Sequence, residues 1–182
     1  PNSEEQLIQK LIALFQFTYV GAPMIYYGTE AGMWGADDPD DRKPMVWKEM
    51  TFEPEASHPL GGNRPVDENY FDQHLFDWYQ KLAHIRNRHL ALQTGEFQEL
   101  SIDNHNNTWA FARVLNEQMY VIVAGNRSRK SQKVEIPLEN FDISSGKHLE
   151  DLIVETEISV NEQAVELVLP PLSGTILSPE DD

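Results

Sequence analysis

The sequence has 182 residues, of which 40% are hydrophobic and 10% aromatic, so there is enough apolar surface for a core and global disorder is excluded. Lys and Arg number 14 against 30 Asp and Glu, and the formal charge of −16 argues against a nucleic-acid partner and against docking on an anionic membrane. Cysteine is absent, which excludes disulfides but leaves the compartment open. Because the sequence starts at Pro1 without a leader, we expect a removed signal or a piece of a longer chain.

The first predicted element is an amphipathic helix over residues 4–19. Ser3 and Gln6 have the spacing of a capping box at its start. Gly21 and Pro23 end it, since neither residue continues a helix. The apolar residues that recur at helical spacing are Leu7, Ile8, Leu11, Ile12, Phe15 and Tyr19.

Residues 24–27 form a short apolar run without polar alternation, which predicts a strand covered on both faces in a parallel sheet. The uncharged stretch 11–29 is long enough to span a membrane. However, the break at residues 21–23 would leave backbone groups without partners in lipid. We therefore expect a buried helix followed by a buried strand, in a soluble chain with no membrane partner.

Residues 28–69 show no clear period and contain five of the 11 prolines, which predicts a long loop. The Trp, Met and Phe side chains in this loop argue against disorder. A second helix is predicted over residues 71–89, where apolar residues again recur at helical spacing. Arg86, Arg88 and His89 suit the negative end of its dipole.

After Gly95, short runs rich in β-branched and aromatic residues alternate with turn clusters, which predicts about eight strands in an antiparallel sandwich. A boundary near Thr94 would divide the chain into domains 1–94 and 95–182. The predicted strands are 97–102, 108–115, 119–124, 133–138, 148–154, 157–160, 164–169 and 174–177.

The segment GAPMIYYGTEAGM at residues 21–33 resembles the eighth-strand signature of the α-amylase superfamily of glycoside hydrolases. Residues 35–47 resemble the loop that follows this strand in neopullulanases, cyclomaltodextrinases and maltogenic amylases, and residues 79–95 resemble the last barrel helix. The resemblance covers essentially the whole chain. It implies an α+β chain in which residues 1–94 form the last β/α elements of a TIM barrel and residues 95–182 form the antiparallel β-sandwich called domain C.

The resemblance also implies a function. The chain would be the C-terminal part of a retaining glycosidase that acts on α-glucans such as starch, maltooligosaccharides, pullulan or cyclodextrins. The family's two catalytic carboxylates lie on barrel strands four and five, and a third acid follows strand seven, all before Pro1. We therefore expect no catalytic residue and no hydrolytic activity in this chain alone. The sequence leaves open which glycosidic linkage is preferred and whether the reaction is hydrolysis or transglycosylation.

The expected partners are an α-glucan and the remainder of the barrel. For the isolated chain we expect either a dimer through residues 1–30 or a first helix that folds back over the strand and onto the 71–89 helix. No cofactor is expected here, although the resemblance allows calcium in the full-length parent. The acidic run 37–41 fails the spacing of an EF-hand loop, so a solvated acidic turn is favoured there. No His cluster has the spacing of metal ligands, and no metal site is predicted.

Asp38 and Arg42 are candidate substrate-binding residues, because the resemblance places this pair near the sugar-donor subsites. A carboxylate accepts hydrogen bonds from sugar hydroxyls, and a guanidinium donates to them and holds that carboxylate. The alternative is a surface ion pair worth about 0–1 kcal/mol. Trp34 offers a flat apolar face to a sugar ring, with core packing as its alternative. For Glu30, the resemblance implies a role in bracing the loop rather than in catalysis.

A different class of function is a carbohydrate-binding module in which the sandwich carries the sugar site. Such modules present a row of exposed aromatic side chains, whereas Phe111 and Tyr120 fall within runs that fit a core. A structural or interaction domain is the third alternative. The aromatic residues of the predicted sandwich are Phe97, Trp109, Phe111, Tyr120 and Phe141.

Overall fold

The fold comes from a computed structural model that describes residues 2–35, 38, 41–56, 58, 61–62, 65–116, 119–141 and 147–179. Its helices are α1 (Ser3–Thr18), α2 (Gln73–Arg88) and α3 (Leu90–Thr94). Its strands are β1 (Glu96–Asp103), β2 (Thr108–Val114), β3 (Tyr120–Asn126), β4 (Gln132–Pro137), β5 (His148–Asp151), β6 (Thr156–Ser159), β7 (Ala164–Leu169) and β8 (Ser173–Pro179). The predicted mixture of helices with a mostly antiparallel sheet is confirmed, and each of the eight strands predicted after Gly95 has an observed counterpart.

The strands form a six-stranded sheet in the order β1-β2-β3-β8-β5-β6 and a two-stranded sheet of β4 and β7. Every neighbouring pair is antiparallel. Both sheets contribute fully buried side chains to one hydrophobic cluster, which makes this part of the chain a two-layer sandwich. Among the cluster's members are Ala112, Ile122 and Leu177 from the large sheet and Ile136 and Leu167 from the small one.

The start of α1 lies one residue earlier than predicted. The Asn2 side chain accepts a hydrogen bond from the Glu5 backbone amide at 2.9 Å, and the Glu5 carboxylate accepts one from the Asn2 amide at 2.7 Å. This reciprocal pair is a complete capping box, so Ser3 is the first residue of the helix rather than its cap.

The buried face of α1 also differs from the predicted face. Leu11, Leu14 and Phe17 are buried, whereas most of the predicted apolar stripe is partly exposed. A Cβ atom on Gly174 of β8 would lie 2.7 Å from the Ala124 carbonyl oxygen and 3.3 Å from Leu11 Cδ1, so glycine suits this crowded position beneath α1. The helix is apolar around much of its circumference, so periodicity alone could not select the face that packs. The exposed members of the predicted stripe are Leu7, Ile8, Ile12, Phe15 and Tyr19.

Aromatic rings pack between α1 and the large sheet. Trp109 stacks on Phe111 with ring centroids 5.4 Å apart, and Phe15 of α1 meets both rings edge-on, at 5.6 Å and 6.0 Å. Gly125 on β3 is needed beneath Trp109, because a Cβ atom at this position would overlap the indole ring. The large sheet is therefore covered by the second sheet on one face and by α1 on the other.

Two buried arginines bind the carbonyl ends of α1 and α3. Arg113 on β2 is 1% exposed, and its guanidinium donates to four carbonyl oxygens that lie at or just beyond the C-terminal ends of these helices. Arg86 of α2 donates to two more. Burial lowers the pKa of both guanidinium groups, and the Arg86 charge lowers that of Arg113 further. The acceptors for Arg113 are Thr18, Tyr19, Leu92 and Gly95; those for Arg86 are Phe17 and Gly21.

Residues 24–27 do not form the predicted strand. A strand requires a ladder of backbone hydrogen bonds to a neighbour, and no described segment of the chain provides one for these residues. Their side chains are exposed by 40–80%, so the expectation of burial on both faces is wrong for this chain. The prediction used local composition, whereas strand pairing depends on residues distant in sequence.

The chain divides into two compact units. Pro1–Pro23 together with Leu82–Asp182 form the first, which we call the sandwich unit, and Met24–Lys81 form the second, the loop unit. These units differ from the predicted domains 1–94 and 95–182, whose boundary near Thr94 stays a prediction. Among the described residues, no helix is both long and apolar enough to cross a membrane.

Candidate functional site

The loop unit begins with a tight turn that is built on two glycines. Gly28 and Gly32 have φ values of +85° and +79°, in the region that favours glycine. The amides of Ala31 and Met33 both donate to the Gly28 carbonyl, at 3.0 Å and 2.9 Å. The turn thereby holds Glu30 at a defined position after residues 24–27.

The same turn is bound to the start of α2 through Asp72. The Asp72 amide donates to the Ala31 carbonyl at 2.9 Å, and its carboxylate accepts the Leu75 amide at 3.0 Å, which caps the helix. A Cβ atom on Gly32 would lie 2.7 Å from the Cβ of Asp72, so only glycine permits this approach. The turn and the first residues of α2 therefore form one local structure within the loop unit.

Asp38 and Arg42 form an ion pair between Asp38 Oδ1 and Arg42 Nη2. Their side chains are 64% and 60% exposed, so the pair lies at the surface of the loop unit. The structure thus brings together the two residues that the sequence selected. Their contact with sugar stays a prediction. Of the acidic run 37–41, Asp38 and Asp41 are described, while residues 37, 39 and 40 lie outside the described part of the chain.

Trp34 is half-buried, and the Lys43 ammonium lies 4.3 Å from the centroid of its ring. The same ammonium forms an ion pair with Glu55, and the Lys43 carbonyl accepts a hydrogen bond from the Tyr27 hydroxyl at 2.7 Å. One face of the indole ring is therefore covered by a cation. A stacking role for Trp34 against sugar would use its other face and stays a prediction.

A cavity of about 520 Å³ lies in the loop unit, and Glu30 and Gln73 are among its lining residues. In the described part of the chain, Glu30 Oε2 and Gln73 Oε1 have no hydrogen-bond partner. The orientation of the Gln73 amide is set by its nitrogen, which donates to Asp77 at 2.6 Å. We call this space the Glu30 cavity. Its lining residues are Tyr27, Glu30, Met45, Trp47, Lys48, Glu49, Phe71, Gln73 and Phe76.

The sandwich aromatics do not form an exposed row. Tyr120 and Phe141 are buried in the core with ring centroids 4.5 Å apart, and Phe111 is 4% exposed. A larger groove of about 930 Å³ lies between α1 and the large sheet, next to Trp109 and three cationic side chains. Those cations are Arg127, Arg129 and Lys130.

No group of three or more His, Asp or Glu side chains in the described ranges could hold a metal ion. The expectation of calcium concerned a longer parent chain, and it stays a prediction.

Comparison with known proteins identifies the family. A family model described as the alpha amylase catalytic domain matches residues 2–95, which is just over half of the chain. The chain belongs to the alpha-amylase family. The resemblance that residues 21–47 carry is thereby confirmed.

Three relatives illustrate the extent of the match. Neopullulanase 2 from Thermoactinomyces vulgaris is 34% identical over 168 residues, which are 92% of this chain and 25% of that protein. A cyclomaltodextrinase from Bacillus sp is 36% identical over 117 residues, which are 64% of this chain and 18% of that protein. A solved cyclomaltodextrinase structure matches with a TM-score of 0.73 and 27% identity, over 96% of this chain and 26% of that one. The alpha-amylase-family chain therefore spans about a quarter or less of these relatives.

Proposed function

We propose that this chain is the C-terminal part of a glycosidase that acts on α-glucans. The family match over residues 2–95 carries this proposal, and the neopullulanase and cyclomaltodextrinase relatives support it. Residues 1–94 would be the end of the catalytic barrel and residues 95–182 the structural domain C. The end of the family match at residue 95 supports that boundary.

The role of these residues would be to bind and position substrate rather than to break the glycosidic bond. Retaining hydrolysis needs an acid/base and a nucleophile, two carboxylates about 5–5.5 Å apart. The resemblance assigns both to barrel strands that precede this segment in the family. We therefore expect no release of reducing sugar from starch, pullulan or cyclodextrin by the 182-residue chain alone.

The Asp38–Arg42 pair is the proposed point of contact with sugar. Arg42 carries five N–H donors in a planar fork, more than its bond to Asp38 uses, and Asp38 supplies carboxylate oxygens as acceptors. Each side chain holds the other in place, so both reach a glucosyl unit in a fixed arrangement. Such a contact orients the substrate by hydrogen bonds and transfers no proton.

Kinetics of the full-length natural protein test this assignment. Arg42→Ala should lower kcat/KM for long α-glucans by about ten- to a hundredfold, since a hydrogen bond to a charged group is worth roughly 1.5–3 kcal/mol. A disaccharide too short to reach the pair should be affected less. Lys133→Ala is the matched control, because Lys133 forms an exposed ion pair with Glu166 and does not line the groove beside Trp109. Equal losses on short and long substrates, or no loss, would return the pair to a surface role.

The exposed side of α1 supports a further expectation about partners. Leu7, Ile8 and Ile12 are 37–60% exposed, and burial of such side chains would be favourable. We propose that the remainder of the barrel covers this side in the natural protein, and that the isolated chain associates with a second copy through residues 1–30. Analytical ultracentrifugation of the chain, with Ile12→Glu as the variant, measures that association.

The carbohydrate-binding module is the second candidate function. The groove beside Trp109, with its three cationic neighbours, is the observation that favours it. In that case an α-glucan would contact the sandwich unit and binding would not depend on Arg42.

A further inference from the structure

We propose that Lys43 is the positioning residue for the Asp38–Arg42 pair. Its side chain is anchored inside the loop unit, and this anchor would fix the backbone that carries Arg42. Lys43 itself would not touch the sugar. The inference rests on the proposed function, because a positioning role has meaning only if the pair contacts an α-glucan.

The Lys43 backbone is bonded to the start of the loop unit. The Tyr27 hydroxyl donates to the Lys43 carbonyl oxygen at 2.7 Å, which connects residue 43 to the segment before the glycine turn. Arg42 is the preceding residue, and its guanidinium pairs with Asp38. Because the peptide plane between residues 42 and 43 is rigid, a shift of the Lys43 backbone would also move Arg42.

The Lys43 ammonium is held between a carboxylate and an aromatic ring. It forms an ion pair with Glu55, and the two side chains are 18% and 16% exposed. The same nitrogen lies 4.3 Å from the centroid of the Trp34 ring. A cation that is partly removed from water is attracted to a ring face more strongly than an exposed one. Both contacts therefore restrain the lysine side chain.

Glu55 is fixed in turn by its own backbone. Its amide donates to the Asp67 carbonyl oxygen at 2.8 Å, and the Asp67 amide donates to the Glu55 carbonyl oxygen at 2.9 Å. This reciprocal pair is an antiparallel bridge between two segments that are distant in sequence. Lys43 thus connects three segments of the loop unit, which contain residues 27, 34 and 55.

The difference in exposure between the two ion pairs indicates which one positions the other. The Asp38 and Arg42 side chains are 64% and 60% exposed, far more than those of Lys43 and Glu55. An exposed pair gains little from its charges and loses side-chain entropy when it is held in one geometry. An anchored neighbour in the chain reduces the part of that cost that comes from the backbone, so the pair would be better ordered before sugar binds.

Kinetics of the full-length natural protein on maltohexaose and maltose test the proposal. Lys43→Met should lower kcat/KM for maltohexaose by about five- to thirtyfold and for maltose by less, because a small misplacement of a binding group is costly. Lys43→Arg can keep both the ion pair and the contact with Trp34, so it should restore most of the loss. Lys133→Met is the matched control, since Lys133 forms an exposed ion pair with Glu166 in the sandwich unit.

A double-mutant cycle with Arg42→Ala separates positioning from an independent contribution. If Lys43 acts through Arg42, Lys43→Met should lower kcat/KM of the Arg42→Ala protein for maltohexaose by less than about threefold, because the group that it positions is already absent. A larger further decrease would show that the two residues act independently, and it would overturn the proposal.

A second variant keeps the test valid if Lys43→Met does not fold. The single substitution leaves the partly buried Glu55 carboxylate without its cation, which destabilises the loop unit. Lys43→Met combined with Glu55→Gln removes both charges, and the same greater loss on maltohexaose than on maltose is expected. Parallel losses on the two substrates in the folded variant would assign Lys43 to stability alone and overturn the proposal.

Failure of this inference and failure of the proposed function give different results. Unchanged kcat/KM in Lys43→Met, with the expected loss in Arg42→Ala, would overturn the positioning role alone. Unchanged kinetics in Arg42→Ala would count against the proposed sugar contact itself, and would also overturn the inference that rests on it.

Discussion

In the sandwich unit, buried apolar side chains come from both sheets and from α1, whereas the described loop unit buries four: Ala31, Val46, Leu75 and Tyr79. The loop unit instead depends on glycine turns, the Asp72 cap and the Lys43–Glu55 ion pair. In many proteins a densely packed region provides stability, and loops with polar side chains provide binding residues. Asp38, Arg42 and Trp34, the sugar contacts of the leading proposal, lie in the loop unit.

Buried polar groups show the same contrast. In the sandwich unit, the Arg113 guanidinium has four carbonyl acceptors, and the Asp151 carboxylate accepts from Thr175 at 2.5 Å. In the loop unit, Glu30 and Gln73 each have one buried oxygen without a described partner. Satisfied networks of buried polar groups stabilise a fold, so the sandwich unit is the better satisfied of the two.

Removal of the Arg113 network would test the contrast most severely. Arg113→Ala should lower the free energy of unfolding by about 3–5 kcal/mol, because it leaves several buried carbonyls without donors. Urea unfolding of the variant measures this, with Arg129→Ala as an exposed arginine control expected to be neutral. A decrease in the free energy of unfolding below about 1 kcal/mol would mean that water replaces the guanidinium. The network would then contribute little to the stability of the sandwich unit.

A second test concerns which face of α1 packs against the sandwich. Leu14→Ala should cost about 2–4 kcal/mol, since Leu14 is fully buried and its removal leaves a cavity. Ile12→Ala on the same helix should change stability by less than about 0.5 kcal/mol, because Ile12 is 60% exposed. Thermal unfolding of the two variants compares them directly. A reversed order would show that the predicted stripe, and not the observed face, packs against the sandwich.

The smallest expected effect concerns the β1–β2 turn of the sandwich unit. The Asp103 carboxylate accepts hydrogen bonds from the backbone amide and side-chain amide of Asn106 and from the backbone amide of His105. These bonds hold the pKa of Asp103 below its ordinary value. A depressed pKa in the folded state stabilises the fold above the unfolded-state pKa, and this contribution is lost as the pH falls through the folded-state pKa. Asn106→Ala should raise the Asp103 pKa in an NMR titration.

Asn104→Ala is the control for that titration, since Asn104 is an exposed neighbour in the same turn. An Asp103 carboxyl that titrates near the ordinary value of about 3.9 in the unsubstituted chain would contradict the described turn.

The sequence predicted the sandwich well because alternation and turn clusters are local signals. It selected Asp38 and Arg42 through a motif whose four-residue spacing also suits an ion pair. It could not select the packing face of α1, where Leu11 and Leu14 compete with equally apolar neighbours such as Ile12. Nor could it find the Glu30 cavity, because residues 30, 47 and 73 converge only in three dimensions.

The proposed function implies that sugar contacts residues of the loop unit and not those of the sandwich unit. The four tryptophans allow one direct measurement, because Trp34, Trp47 and Trp78 lie in the loop unit and Trp109 in the sandwich unit. Their indole N–H signals can be followed by two-dimensional NMR during titration with maltohexaose. We expect the signal of Trp34 to shift while that of Trp109 does not. A shift of Trp109 with Trp34 unchanged would contradict this expectation.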